Sequence, residues 1–235
     1  MKKYIIFTIV GLSLFLGSQA HGARFYIDSQ CNTPGNGTTA TCSGGANDSY
    51  DNIDDFADVA RNAGDIAVVR RVASGSQDGT DVTFTSDGTS NAPITLEADF
   101  DNYWGDFASS SQTYTVVRGS RSMTASATIT DIAANDWIYV YDDKTNRRRF
   151  SYEVQSVSGT VLTLYLPYKG DVLGAGLTLT IMPDAPIWGT TTFDFQWVTL
   201  TDQYWILQGM DLRSTDAACA ISITSAKWVV LDMIL

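Results

Sequence analysis

Imidazole is almost missing from this chain. Its 235 residues include one histidine, His21, so the body of the fold cannot assemble a Ser-His-Asp triad, a Cys-His dyad or a histidine metal site. Chemistry within it is left to carboxylates, Lys, Arg or Tyr. Bases are also in short supply: 15 Lys and Arg face 26 Asp and Glu, a formal net charge of −11. A surface this acidic repels phosphate backbones, which argues against nucleic acid as a partner. After the first residues, no apolar run reaches the roughly 18–20 residues that span a bilayer, so no membrane span is expected.

At the N-terminus, Lys2 and Lys3 precede the apolar run Tyr4–Leu16, and Ser18-Gln19-Ala20 supplies small residues for cleavage. Residues 1–20 read as a secretory signal peptide, with an uncleaved anchor as the alternative. The mature chain is then secreted, either extracellular or periplasmic, and begins near His21. Losing two of the 15 bases and none of the 26 acids leaves 13 against 26, a net charge of −13.

Cysteine is sparse as well, at three residues. Cys31 and Cys42 lie in a Gly-, Thr- and Asn-rich stretch with little else to hold it, and an exported chain meets an oxidising compartment, so a disulfide between them is expected over two free thiols. Closing so short a loop contributes on the order of 2–3 kcal/mol. Cys219, in ACAISI, reads as a buried small apolar residue.

What the chain does have is β-pattern. A strand at RFYID (24–28) leads into the cysteine loop. Next, Ile53, Phe56, Val59 and Ala60 fall at helical spacing, with Ser49 or Asp51 to cap the start and Gly64 to stop it, which predicts an amphipathic helix of about three turns. Together these make residues 21–64 an N-terminal cap. From 65 to 111, IAVVRRV, DVTFTSDG and APITLEADF are short β-rich runs separated by turn residues, spaced for parallel strands that the helix would cover at their open end.

From 112 to 186 the pattern becomes strict apolar/polar alternation (YTVVRG, DWIYVYDD, FSYEVQSV, VLTLYL, LTLTIM). That predicts a five- or six-stranded antiparallel meander, closed as a barrel or compact sandwich and inserted into a turn of the parallel stack. The stack resumes over 187–235. There YWILQGMDL (204–212) and KWVVLDMIL (227–235) place Trp over Trp and Leu over Leu 23 residues apart, the signature of stacked repeats that bury one another's apolar side. Because the chain stops on an apolar strand, a continuation or a covering partner chain is expected.

The order RFYIDSQCNTPGNG, short helix, AGDIAVVR, Gly-rich turn, APITLEA, followed later by YWILQGMDLRST and AISITSAKWVVLDMIL, resembles secreted right-handed parallel β-helix proteins of the pectate-lyase-like superfamily. The inserted block, with RGSRSMTAS, NDWIYVYDD and YEVQSVSGTVLTLYLPYKG, resembles a small β module of phage tail and virion proteins. The first resemblance implies an all-β right-handed solenoid that binds extracellular polysaccharide. In its enzymatic form it implies a lyase or hydrolase with Ca2+ on stacked carboxylates and the active site largely in further C-terminal rungs. The second implies a viral or prophage origin, and the alternative to a polysaccharide-binding protein is a non-enzymatic adhesin or virion tail component whose inserted domain contacts other protein chains.

No catalytic residue can be nominated. Asp211 and Arg213 form the nearest acid-base pair, with a solvated ion pair as the alternative. Trp104 and Trp188, flanking the insertion, offer faces for sugar rings or for packing the insertion on the stack. Asp99 and Asp101 could hold a hard cation or serve as ordinary turn residues. Arg147–Arg149, with Lys144, offer cations to an anionic glycan or form a hydrated loop.

Overall fold

A computed structural model describes residues 22–31, 33–71, 76–78, 82–84, 86–140, 151–170, 173–183, 187–188, 198–200, 204–212, 221–223 and 229–234. The signal-peptide segment 1–20, the run Arg147–Arg149, Cys219 and Arg213 lie outside them. In chain order the first elements are β1 (Arg24–Ile27), α1 (Ile53–Ala57), β2 (Ile66–Val69), β3 (Ser76–Asp78), β4 (Val82–Phe84) and β5 (Ile94–Ala98). There follow β6 (Ala108–Val116), β7 (Ser122–Ala125), β8 (Trp137–Val140), β9 (Tyr152–Ser158), β10 (Val161–Leu164) and β11 (Gly174–Met182). The last are β12 (Ile187–Trp188), β13 (Val198–Leu200), β14 (Trp205–Leu212), β15 (Ile221–Ile223) and β16 (Val229–Ile234). The described residues are all-β apart from one five-residue helix.

Outside β6–β11 every pairing between the described strands is parallel. β1, β2, β5, β14 and β16 stack in that order, bringing Phe25, Ala67, Leu96, Leu207 and Leu231 into one column. β3 pairs β12, which pairs the far end of β14, and β4, β13 and β15 form a third parallel ladder. Alternation within a strand sends one set of side chains inward. Ile27, Ala67, Val69, Ile94, Leu96 and Leu207 meet in a single core with the residues of α1. Trp205 fills its centre: its ring lies 4.2 Å from that of Phe84 and its indole N–H donates to the Ser86 carbonyl at 2.9 Å.

The stacking register corrects the 23-residue repeat. Trp205 sits over Val229 and Leu207 over Leu231, an offset of 24, and only beyond a bulge does Asp211 meet Ile234 at 23. The bulge falls at Gly209, whose φ of 72° is left-handed and whose missing Cβ leaves room for the ring of Phe100. A glycine inside a strand pattern marks such a bulge and close approach.

α1 is shorter than its periodicity predicts. Asn52, not Ser49 or Asp51, caps it by accepting the Asp55 N–H at 2.7 Å, and Ile53 and Phe56 are fully buried. The helix stops at Ala57 because Arg61 folds back over the rings of Phe25 and Phe56. Its Nε donates to the Phe56 carbonyl at 2.8 Å and its Nη2 to the Tyr50 hydroxyl at 3.1 Å. Val59 is therefore 48% exposed rather than buried. Cys31 and Cys42 are joined, with Cα atoms 5.1 Å apart. The loop they close is organised by Asp48, whose carboxylate accepts from Thr41 at 2.6 Å, from Ser43, and from the N–H groups of Gly44 and Gly45 at 2.6 and 2.9 Å.

β6–β11 form a closed six-stranded antiparallel barrel in the order β10-β7-β6-β11-β8-β9, with its own core of Tyr114, Val116, Met123, Ile138, Val154 and Leu162 among others. It is not a meander: β7 pairs β10 rather than β8, and β11 lies between β6 and β8. Placing β11 beside β6 closes the barrel without a free edge and brings the chain's entry and exit together, Ala108 opposite Ile181.

Two stability outcomes follow from this packing. Trp205→Ala removes the centre of the parallel core and lowers unfolding free energy by about 3–5 kcal/mol, read by chemical denaturation. Hydrogen bonds hold the Asp48 carboxyl down to about 2, from an ordinary 3.8, the Thr41 hydroxyl first among them. A depressed acid stabilises the fold above its unfolded pKa, so this contribution is lost as pH falls from about 4 towards 2. Asp48→Asn flattens the melting profile in that window.

Candidate functional site

The outward-facing residues of the first ladder are where the chemistry collects. Phe25 and Ile27 point inward, so Arg24 and Tyr26 face out, next to the fully buried Asp28 and to Arg70, which follows β2. The segment that leaves β5 for the barrel folds over them. Tyr26 meets Tyr103 and Trp104 edge-on, with ring centroids 5.2 and 5.8 Å away, and all three rings are half-buried. The Arg24 guanidinium lies 5.1 Å from the Tyr103 ring centre and donates to its hydroxyl. Arg70 donates to Asp28 at 2.7 Å and, through Nε and Nη2, to both oxygens of Asp106 at 2.7 and 3.0 Å. Asp106, then Asp28, raise the Arg70 pKa, keeping it a fixed cation.

Asp99 is the keystone of this segment. It is 2% exposed, and its two oxygens accept the backbone N–H groups of Asp101 and Tyr103, each at 2.9 Å. Burial pushes its pKa up to about 6, against the opposing pull of backbone donors and the Arg71 charge; Asp106 adds to the rise. Arg71, itself buried, donates through Nε to the Asp99 carbonyl at 3.0 Å and through Nη1 to the Pro183 carbonyl at 3.1 Å. One guanidinium thus ties the strand that enters the barrel to the one that leaves it.

The sequence candidates fall unevenly on this geometry. Trp104 is part of the aromatic group, and its indole N–H is buried with no hydrogen-bond partner among the described residues. Asp99 and Asp101 sit beneath the group, but Asp99 serves the loop's own backbone, so its oxygens do not fit an open calcium site. Asp28, Cys31 and Cys42 converge within 4.8 Å, yet the two sulfurs are spent on the disulfide. Trp188 and Asp211 come onto neighbouring strands, Ile187 opposite Asp211 and Trp188 opposite Leu212. Their side chains lie outside the described set. Tyr26, Tyr103, Arg24, Arg70 and Arg71 were missed. The signal for the last two was present: adjacent bases ending an apolar strand in an acidic chain call for buried partners.

No protein-family model and no curated protein matches the chain. Among solved structures it is weakly similar to phage tailspikes. One is the gp54 tailspike of Acinetobacter baumannii bacteriophage AP22, in complex with A. baumannii capsular saccharide, at 14% identity and TM-score 0.29 over 72% of this chain and 30% of that one. Another is the tailspike gp61 of Pseudomonas phage phi297, at 14% identity and TM-score 0.28 over 68% and 28%. The chain therefore spans less than a third of either. Among the described residues no helix is long and apolar enough to cross a membrane.

Asp99 gives the site a pH signature. Its native pKa lies above the ordinary 3.8, so the folded state takes up a proton before the unfolded chain does. Stability rises as pH falls from 7 through 6 and levels off near 4, by on the order of 2–3 kcal/mol. Asp99→Asn removes this part of the rise between pH 7 and 5 and leaves the part from Asp55, which burial and then Asp51 also lift to about 6.

Proposed function

We propose that this chain is an exported right-handed parallel β-helix protein that binds extracellular polysaccharide on the outer face of its first ladder, beside the neck of an inserted barrel domain. The observation that carries the reading is the Tyr26–Tyr103–Trp104 group flanked by Arg24 and Arg70. Half-exposed rings offer apolar planes to the C–H faces of sugars while their polar edges and the neighbouring cations reach hydroxyls. Parallel ladders repeat at about 4.8 Å, which suits the flank to an extended, regular polymer. The cysteine bridge supports an oxidising compartment, as the leader-like first 20 residues do.

Binding is favoured over cleavage by how the carboxylates are used. Arg70 holds Asp28 and Asp106, and backbone donors hold Asp99. A glycosidase needs one carboxyl to donate a proton and another to attack or activate water. With these three committed, the group reads as a recognition surface, in keeping with an adhesin or virion component.

Affinity electrophoresis through a panel of bacterial capsular polysaccharides, dextran and polygalacturonate tests this. Wild type is retarded by at least one of them, and Tyr103→Ala/Trp104→Ala weakens that binding at least about tenfold with the circular dichroism spectrum unchanged. Retardation by none of the panel overturns the reading.

A further inference from the structure

The barrel carries a surface that the neck site does not use. The chain enters at Ala108 and leaves at Met182, with Ala108 opposite Ile181. The opposite end is separated from this neck by the nine residues of β6. It is built from the β6–β7 turn and the chain that follows β10. Gly119 N–H donates to the Tyr168 carbonyl at 2.7 Å, Tyr168 N–H to Ser120 at 2.8 Å, Leu164 N–H to Arg121 at 2.7 Å, and Arg118 Nε to Gly170 at 3.3 Å. These bonds fix the shape of the end while leaving large apolar side chains in water: Val117 is 58% exposed, Tyr165 44%, Leu166 61% and Leu173 50%. Apolar groups grouped this way mark an interaction surface, whereas scattered ones do not.

Charge says what kind of partner fits. The described bases of the barrel, Arg118, Arg121 and Lys169, all lie at this end and are exposed. Asp131 and Asp136 lie at the neck end, Asp131 against Ser111 near the start of β6 and Asp136 next to Trp137, which pairs with Met182 at the end of β11. The remaining described acid, Glu153, is half-buried and borders the far end, its carbonyl accepting the Tyr165 N–H at 3.1 Å. Among the described residues these three bases gather at the far end, where they attract anionic groups over a range of about 8 Å at physiological salt even within a chain of net charge −11. We propose that the far end of the barrel binds anionic polysaccharide, with Arg118, Arg121 and Lys169 engaging carboxylate or sulfate groups and Tyr165 lying against a sugar ring. This rests on the glycan reading above and gives the barrel a ligand of its own. Guanidinium groups are suited to the task because their planar donor fork matches a carboxylate. An acidic protein would satisfy the charges equally, but it would not require the tyrosine.

The test titrates full-length chain with polygalacturonate, with poly-L-glutamate as a sugar-free polyanion, and with dextran as a neutral glycan. Polygalacturonate binds and added salt weakens it. Arg118→Glu/Arg121→Glu/Lys169→Glu reduces the affinity at least about tenfold, and Arg118→Gln/Arg121→Gln/Lys169→Gln reduces it in the same direction should charge reversal perturb folding. Tyr165→Ala weakens polygalacturonate and leaves poly-L-glutamate unchanged. Equal binding of both polyanions, each indifferent to Tyr165→Ala, overturns the sugar assignment in favour of an acidic protein. Polygalacturonate binding that survives the triple variants but is lost in Tyr103→Ala/Trp104→Ala overturns the barrel site and leaves the neck reading standing. Binding to neither polygalacturonate nor dextran overturns the barrel site, whereas the neck reading falls only if the capsular polysaccharides are not bound either.

Discussion

A parallel strand with one apolar face cannot bury that face by itself, and this constraint shapes everything else in the protein. Ala67 of β2 is covered by Leu96 of β5, which is covered in turn by Leu207 of β14, and each tier makes the next one's core complete. Interiors close-pack like organic crystals, so the tiers cannot slide without leaving voids. Trp205 locks them by a ring contact with Phe84 and a hydrogen bond to Ser86, linking the first ladder to the chain beside the third. The lower end needs its own cover. Ile53 and Phe56 of the short helix provide it, held by Arg61.

Interrupting such a stack with a separate barrel demands that the entry and exit be held together, or the tier on either side would lose register. Barrel closure puts Ala108 beside Ile181, and Arg71 spans Asp99 and Pro183 just outside. The same requirement produces the surface proposed to bind glycan. The entering segment must turn back from β5, and in doing so it lays Tyr103 and Trp104 over Tyr26 and places Asp106 on Arg70. A structural need at the neck thus gathers aromatic and charged side chains on one outer face. The barrel's opposite end is free of that need and carries bases and exposed apolar groups instead.

The sequence was informative where a pattern has one physical cause. Period-two alternation and turn residues marked the all-β class, and two cysteines in an otherwise unsupported loop marked the disulfide. It was less informative where tertiary contacts overrode a local signal. Val59 continued a helical period, but Arg61 bent back to the Phe56 carbonyl and ended the helix early. The pairing of Trp205 with Trp228 looked natural in one dimension, yet the bulge at Gly209 absorbs a residue and the register is 24 before it. Strand order in the barrel was hidden because alternation identifies strands and says nothing about which pairs with which. Of the candidate site, Trp104 and Asp99 stood out as residues. Tyr26 lies 78 positions before Trp104 and Arg71 lies 28 before Asp99, and only the stacking of tiers brings them close.

The central claim is parallel stacking outside the barrel, and nuclear Overhauser contacts in uniformly labelled protein address it directly. Parallel pairing predicts amide-to-Hα contacts linking Ala67 with Leu96 and Leu96 with Leu207, in the evenly spaced pattern of parallel ladders. Close Hα–Hα contacts between these segments, the mark of antiparallel neighbours, would contradict the account.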